Sequence, residues 1–122
     1  MPSKLEIQAN TWRTDQELSI YAEEYTRNGF QGGLNWYRRG TTDMDIKSLE
    51  IFSDKTIDVP SCFISGKSDW GVYQRPGAAE RMNGQVCTKM LNFELIEGAG
   101  HWVQQEQPEK TAELLLKFFQ GS

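Results

Sequence analysis

A chain of 122 residues, 38% of them hydrophobic and 25% charged, holds enough apolar material for one compact core but is short for a complete α/β enzyme. Its net charge of −4, with 13 basic and 17 acidic side chains and no dense Lys/Arg cluster, excludes the concentrated positive face that a nucleic-acid partner requires. No apolar run approaches the roughly 20 residues of a bilayer span, and the start Met1-Pro2-Ser3-Lys4-Leu5-Glu6 has no apolar signal region, so a soluble, unexported, cytoplasmic protein without a membrane partner is expected.

The first dozen residues show no clear period. Thr14-Asp15-Gln16-Glu17 then has the form of a capping box, a hydroxyl at the N-cap and a carboxylate three residues on. Leu18, Tyr21, Ala22 and Tyr25 follow at helical spacing, so an amphipathic helix is expected from there to a stop at Asn28-Gly29. Leu34-Asn35-Trp36-Tyr37-Arg38-Arg39 predicts a second short helix closing at Gly40. Thr41 to Asp58 is polar and reads as a linker, with one weak helical turn near Ser48 to Phe52.

After Val59-Pro60 the pattern changes. Ser61-Cys62-Phe63-Ile64-Ser65 is nearly continuously apolar and fits a strand covered on both faces, as in a parallel sheet. A loop over Gly66 to Gln74 precedes Pro76, which is placed to open a helix running to about Met82 or Asn83. Phe93-Glu94-Leu95-Ile96 predicts a second strand, ending at Gly98-Ala99-Gly100. Pro108 then opens a final helix, with Ala112, Leu115, Leu116 and Phe119 in one stripe and Lys110, Glu113 and Lys117 on a solvated face. Strand, helix, strand, helix implies an α/β fold with parallel pairing. Two parallel strands cannot bury both of their faces alone, so this region is expected to be the edge of a larger sheet or to borrow strands from another chain.

Cys62 and Cys87 have no second Cys or His at ligand spacing, which leaves neither a zinc site nor a CxxC redox site; no metal and no cofactor is expected. Cys62, inside an apolar run, is expected to be a buried, inert thiol in a reduced compartment. The single histidine is more informative. His101 follows a buried strand directly, and Asp69 occupies the equivalent place after the preceding strand; in open α/β sheets sites gather at the carboxyl ends of strands. A carboxylate beside an imidazole fixes its tautomer and stabilises the imidazolium, so Asp69 and His101 are candidates for orienter and base, although a lone histidine also fits a structural role. Trp70, Tyr73 and Trp102 flank these loops and fit simple core packing as well as a pocket lining.

The run Gly98-Ala99-Gly100-His101-Trp102-Val103-Gln104-Gln105-Glu106-Gln107-Pro108-Glu109 resembles the histidine loop and final helix start of the epoxide hydrolases, members of the α/β-hydrolase superfamily. Ile57-Asp58-Val59-Pro60-Ser61-Cys62-Phe63-Ile64-Ser65-Gly66-Lys67-Ser68-Asp69 resembles the strand before that family's triad acid, and Gly29-Phe30-Gln31-Gly32-Gly33-Leu34-Asn35-Trp36-Tyr37-Arg38 its cap segment. The three motifs keep the family's order and cover roughly Thr14 to Phe119, with Thr41 to Lys55 matching none. The resemblance implies the C-terminal part of an α/β-hydrolase fold: a cap-derived helical segment and linker over 1–55, then core strand-helix-strand-helix over 56–122. It also implies an aspartate nucleophile that opens an epoxide to a covalent ester, cap tyrosines that hold the epoxide oxygen, and a His-Asp pair that activates water. Carried over, Tyr37 is a cap tyrosine, His101 the base and Asp69 its acidic partner, and these residue types suit the chemistry. For Tyr37, packing beside Trp36 is the plainer alternative.

One departure matters most: no Gly-x-Asp-x-Gly or Gly-x-Ser-x-Gly elbow occurs in the chain. Asp69-Trp70-Gly71 resembles the surroundings of the family's nucleophile, but Asp69 has Lys67 two places before it, and Ser68 has Trp70 two places after it. Asp69 also follows the cap-like segment, the position of the acid. The loop that usually supplies oxyanion donors is absent too. The expected function is therefore that of a C-terminal part of an epoxide hydrolase, inactive alone, whose small apolar substrate of the epoxide class is turned over only after completion by an N-terminal half. A homo-oligomer or a partner hydrolase chain is expected. A non-catalytic binding or assembly module on the same scaffold is the alternative, and a haloalkane dehalogenase or carboxylic ester hydrolase relative a weaker one.

Overall fold

The structure is a computed structural model, and it describes residues 3–41 and 50–121. Internal contacts divide the chain into two compact units, Met1–Asp54 and Lys55–Ser122.

The first unit is helical. Helix α1 (Lys4–Ala9) lies where the sequence shows no period, because six residues are too few for a 3.6-residue repeat to register. Helix α2 (Asp15–Asn28) starts as the capping box dictates: the Thr14 hydroxyl accepts the Glu17 amide at 3.2 Å and the Glu17 carboxylate accepts the Thr14 amide at 2.8 Å. It ends where Gly29, at φ 67°, donates its N–H to the Tyr25 carbonyl. Leu18, Tyr21 and Tyr25 stay exposed on it, and Tyr25 stacks on Phe30 with centroids 4.4 Å apart. Helix α3 (Gln31–Thr41) is longer than Leu34 to Arg39. Gly32 and Gly33 weaken a helix, but Asn35 accepts from both Gln31 and Arg38 at 3.0 Å and ties the first turn to the next. Of the turn expected over Ser48 to Phe52, Glu50–Phe52 forms a 3₁₀ turn, while Ser48 and Leu49 lie outside the described residues.

The second unit is built on two parallel strands, β1 (Ile57–Gly66) and β2 (Cys87–Ile96), paired from Ile57↔Cys87 to Gly66↔Ile96 with register shifts between Ile57 and Pro60 and between Ser61 and Cys62. Both outrun the apolar segments that predict them, since ladder pairing recruits polar flanks such as Thr88, whose hydroxyl donates to Asp58 at 2.7 Å. The crossover holds two short helices, α4 (Trp70–Tyr73), inside the expected loop, and α5 (Ala78–Met82), which begins after Pro76 rather than on it. After β2 come α6 (Val103–Glu106) and α7 (Pro108–Gly121). The core gathers Ile96, Ala99, Val103 and Leu114, with Ile64 packed against it.

Two strands alone leave β1 partly open, as expected of a pair that cannot bury both of its faces: residues 57–60 are exposed, 61–64 half-buried, and only Ser65 and Gly66 buried. Two packing expectations are corrected. Cys62 is accordingly half-buried, and the buried thiol is that of Cys87. On α7 the buried side carries Thr111 and Leu114 rather than the Ala112/Leu115/Leu116/Phe119 stripe. The Thr111 hydroxyl lies within hydrogen-bond reach of the carbonyls of Val103 and Gln107 on that side, and Leu116 and Phe119 are 60% and 70% exposed. Among the described residues no helix is long and apolar enough to cross a membrane.

Candidate active site

Parallel pairing brings the carboxyl ends of β1 and β2 side by side, so the loops that follow them must meet. They are joined through their backbones: Lys67 N–H donates to the Ile96 carbonyl at 2.9 Å and Ser68 N–H to the Ala99 carbonyl at 3.0 Å. Gly66 permits this approach, because a Cβ there would lie 2.2 Å from the Gly100 carbonyl oxygen and 2.3 Å from that of Ala99.

Asp69 caps α4. One carboxylate oxygen, Oδ1, accepts the Gly71 amide at 2.8 Å, and the other, Oδ2, accepts the buried Ser65 hydroxyl at 3.0 Å. Oδ1 also lies 3.1 Å from Nδ1 of His101. Burial alone pushes the Asp69 carboxyl up; the bonds from Gly71, His101 and Ser65 outweigh it, and the net direction is below the ordinary carboxylate value. The folded value being the lower one, the ionised Asp69 stabilises the fold above the unfolded value near about pH 4, and this contribution is lost as pH falls through the folded value. Urea denaturation of the parent and Asp69→Asn between about pH 2 and pH 6 is expected to give a stability gap that narrows toward low pH; a gap constant across that window contradicts the assignment.

His101 is half-exposed and Asp69 nearly enclosed, with side chains 52% and 11% accessible. A carboxylate only accepts, so this contact is a hydrogen bond when Nδ1 carries a proton, which leaves Nε2 as the nitrogen able to take one up. Trp70 stacks over the ring at 6.0 Å and Trp102 meets it edge-on at 5.5 Å, which makes one wall of the site aromatic. Both tryptophans are more than half exposed, so neither is simple core. The arrangement can hold one tautomer, take a proton at Nε2 and stabilise the resulting imidazolium.

Asp69 and His101 are thus brought together. Tyr37 lies on α3 in the other unit and is exposed there. Among the described residues no group of three or more His, Cys, Asp or Glu is disposed to hold a metal ion. The Cys62 thiol is pushed up by burial and by nearby Glu94, the reverse of what a nucleophilic thiolate needs. Two contributors carry no mark in the sequence: Ser65, an ordinary strand serine by pattern, and Glu106, whose carboxylate accepts the backbone amides of Gly100 and Trp102.

No protein-family model matches the chain. Epoxide hydrolase A of Mycobacterium tuberculosis is 41% identical over 111 residues, which cover 90% of this chain and 33% of the relative. The crystal structure of epoxide hydrolase A from Mycobacterium thermoresistibile superposes with a TM-score of 0.78 at 39% identity, over 91% of this chain and 33% of that one. Potato (Solanum tuberosum) epoxide hydrolase I superposes with a TM-score of 0.75 at 29% identity, over all of this chain and 41% of its own. The chain spans about a third of the length of the curated relatives it matches. Joined to parallel strands whose carboxyl ends carry Asp69 and His101, these likenesses identify the chain as corresponding to the C-terminal portion of an epoxide hydrolase-like α/β-hydrolase.

Proposed function

We propose that this chain supplies the water-activating half of an epoxide hydrolase site and that the nucleophile comes from outside these 122 residues. In this reading an aspartate on an N-terminal part opens the epoxide: its carboxylate bonds to a ring carbon, the C–O bond breaks, and Tyr37 donates the proton that the alkoxide takes up. His101 Nε2 then removes a proton from water, and the hydroxide attacks the ester carbonyl. The ester bond breaks, the imidazolium gives its proton to the departing alkoxide so that a diol leaves, and the proton shed as the carboxylate returns restores the Tyr37 hydroxyl. Asp69 holds the ring and stabilises the imidazolium. The substrate is a small apolar epoxide, in keeping with the aromatic wall of Trp70 and Trp102. The observation that carries the reading is the 3.1 Å contact between Nδ1 of His101 and Oδ1 of Asp69 at the ends of adjacent parallel strands. The experiment is reconstitution: the chain is mixed with a separately expressed N-terminal part of Mycobacterium tuberculosis epoxide hydrolase A and assayed on aryl and alkyl epoxides. Turnover in the mixture supports the reading, and none in any mixture refutes it.

A second reading, a non-catalytic assembly module, draws on the open sheet and the exposed apolar residues Ile57, Val59, Leu116 and Phe119. It requires stable self-association by sedimentation together with no hydrolysis in the mixture.

A further inference from the structure

The strand end alone does not orient His101, because the ring is half-exposed and touches Asp69 through a single atom pair. Beyond the Ser68 to Ala99 backbone bond, Glu106 holds the loop. Its Oε2 accepts the Gly100 amide at 2.7 Å and its Oε1 the Trp102 amide at 2.9 Å, so one carboxylate holds the N–H groups of the two residues on either side of His101. The reach comes from the short helix α6. Glu106 N–H bonds the Trp102 carbonyl at 2.9 Å, and the side chain folds back over the start of its own turn, where amides lack partners within the helix. The fit is close: a Cβ at Gly100 would stand 3.3 Å from Oε1 and 3.5 Å from Oε2, so a small residue belongs there.

We propose that Glu106 is the positioning residue of the site. By pinning the Gly100 and Trp102 N–H groups it limits the swing of the backbone that carries His101 between them and so keeps Nδ1 aimed at Asp69. Two charge-assisted bonds to a single rigid carboxylate constrain a loop more tightly than two separate neutral acceptors. The role rests on the reading of Asp69 and His101 as the water-activating pair, but it makes its own demand. A carboxamide keeps the size of the side chain yet turns an NH₂ donor toward one of the two amides, so Glu106→Gln must release one flank.

The test uses the fact that His101 is the only histidine in the chain. Its ring nitrogen NMR signals report which nitrogen carries the proton in the neutral form, a quantity distinct from overall stability. Nδ1–H is expected to dominate in the parent. In Glu106→Gln the Nδ1–H to Nε2–H ratio is expected to fall roughly fivefold, the scale of one net hydrogen bond, and to fall further in Glu106→Ala. Ile64→Val, which trims the neighbouring core without touching the loop, is expected to keep the parent ratio. If Glu106→Ala does not fold, the size-matched Glu106→Gln decides. A parent that holds Nδ1–H together with an unchanged ratio in Glu106→Gln overturns the role of Glu106 and leaves the pair standing. An equal fall in Ile64→Val overturns it too, by reducing it to general packing. A parent with no Nδ1–H preference overturns the Asp69–His101 pair itself, and the inference with it.

Discussion

Gly66→Ala is expected to destabilise the C-terminal unit by about 3 kcal/mol or more, at or beyond the upper end of ordinary overpacking. The added Cβ would stand 2.2 to 2.4 Å from backbone atoms of Ala99 and Gly100, and backbone cannot yield as a flexible side-chain tip does. Relief requires the strand ends to part, which breaks the Lys67 to Ile96 and Ser68 to Ala99 hydrogen bonds and carries Asp69 away from His101. The core here is small, centred on Ile96, Ala99, Val103 and Leu114, so a loss of this size is a large fraction of a stability in the usual range of about 5–15 kcal/mol. Urea denaturation followed by circular dichroism measures the shift, and the His101 ring signals show whether the pair survives. A variant with the parent's midpoint and an intact Nδ1–H signal would show that the two loops do not need their close approach.

The second large effect is expected in the reconstituted mixture. His101→Ala should lower steady-state hydrolysis by about 10²-fold to 10⁴-fold, the range that a positioned general base contributes. It should do so without stopping the first chemical step, because opening of the epoxide by an aspartate needs no base. The N-terminal part should therefore accumulate as an ester heavier by one substrate molecule, visible by intact-mass spectrometry, and its diol should appear only slowly. Tyr37→Phe should act at the other step, slowing adduct formation through loss of the donor to the epoxide oxygen. Loss of both adduct and diol in His101→Ala would place the histidine in the opening step or in assembly, and would contradict its role as the water-activating base.

Legibility in the sequence followed the range of the interactions involved. The start of α2 was readable because a capping box is local: Thr14 and Glu17 are three residues apart and satisfy each other. The middle of β1 was readable because a short apolar run between Pro60 and Gly66 leaves few other readings. Parallel pairing and the placement of Asp69 and His101 followed from the strand-helix-strand order. By contrast, the part of β2 before Phe93, with Thr88, Lys89 and Asn92 among its residues, becomes a strand only because β1 lies beside it. Tertiary pairing overrides local pattern there. The inward side of α7 was misjudged for a similar reason. Ala112, Leu115, Leu116 and Phe119 make the more apolar stripe, yet it is Leu114 that packs with Ile96, Ala99 and Val103, a tertiary contact that the helical period does not record. Glu106 had no visible role because its partners are backbone amides, which no residue pattern records.

Everything proposed for the site depends on the nucleophile lying outside Met1–Ser122, and an assay of the purified chain by itself decides that point. With no carboxylate in an elbow there is no ester for the His101-activated water to cleave. Epoxide hydrolysis is therefore expected to stay at the level of a His101→Ala control, with no covalent adduct on the chain. General-base assistance alone, about 10²-fold to 10⁴-fold, would still fall short of the roughly 10⁶-fold or more that marks an enzyme. Substantial turnover by the chain alone, abolished in His101→Ala and accompanied by an adduct on one of its own carboxylates, would contradict the proposal and make Asp69 the first residue to examine as an unconventional nucleophile.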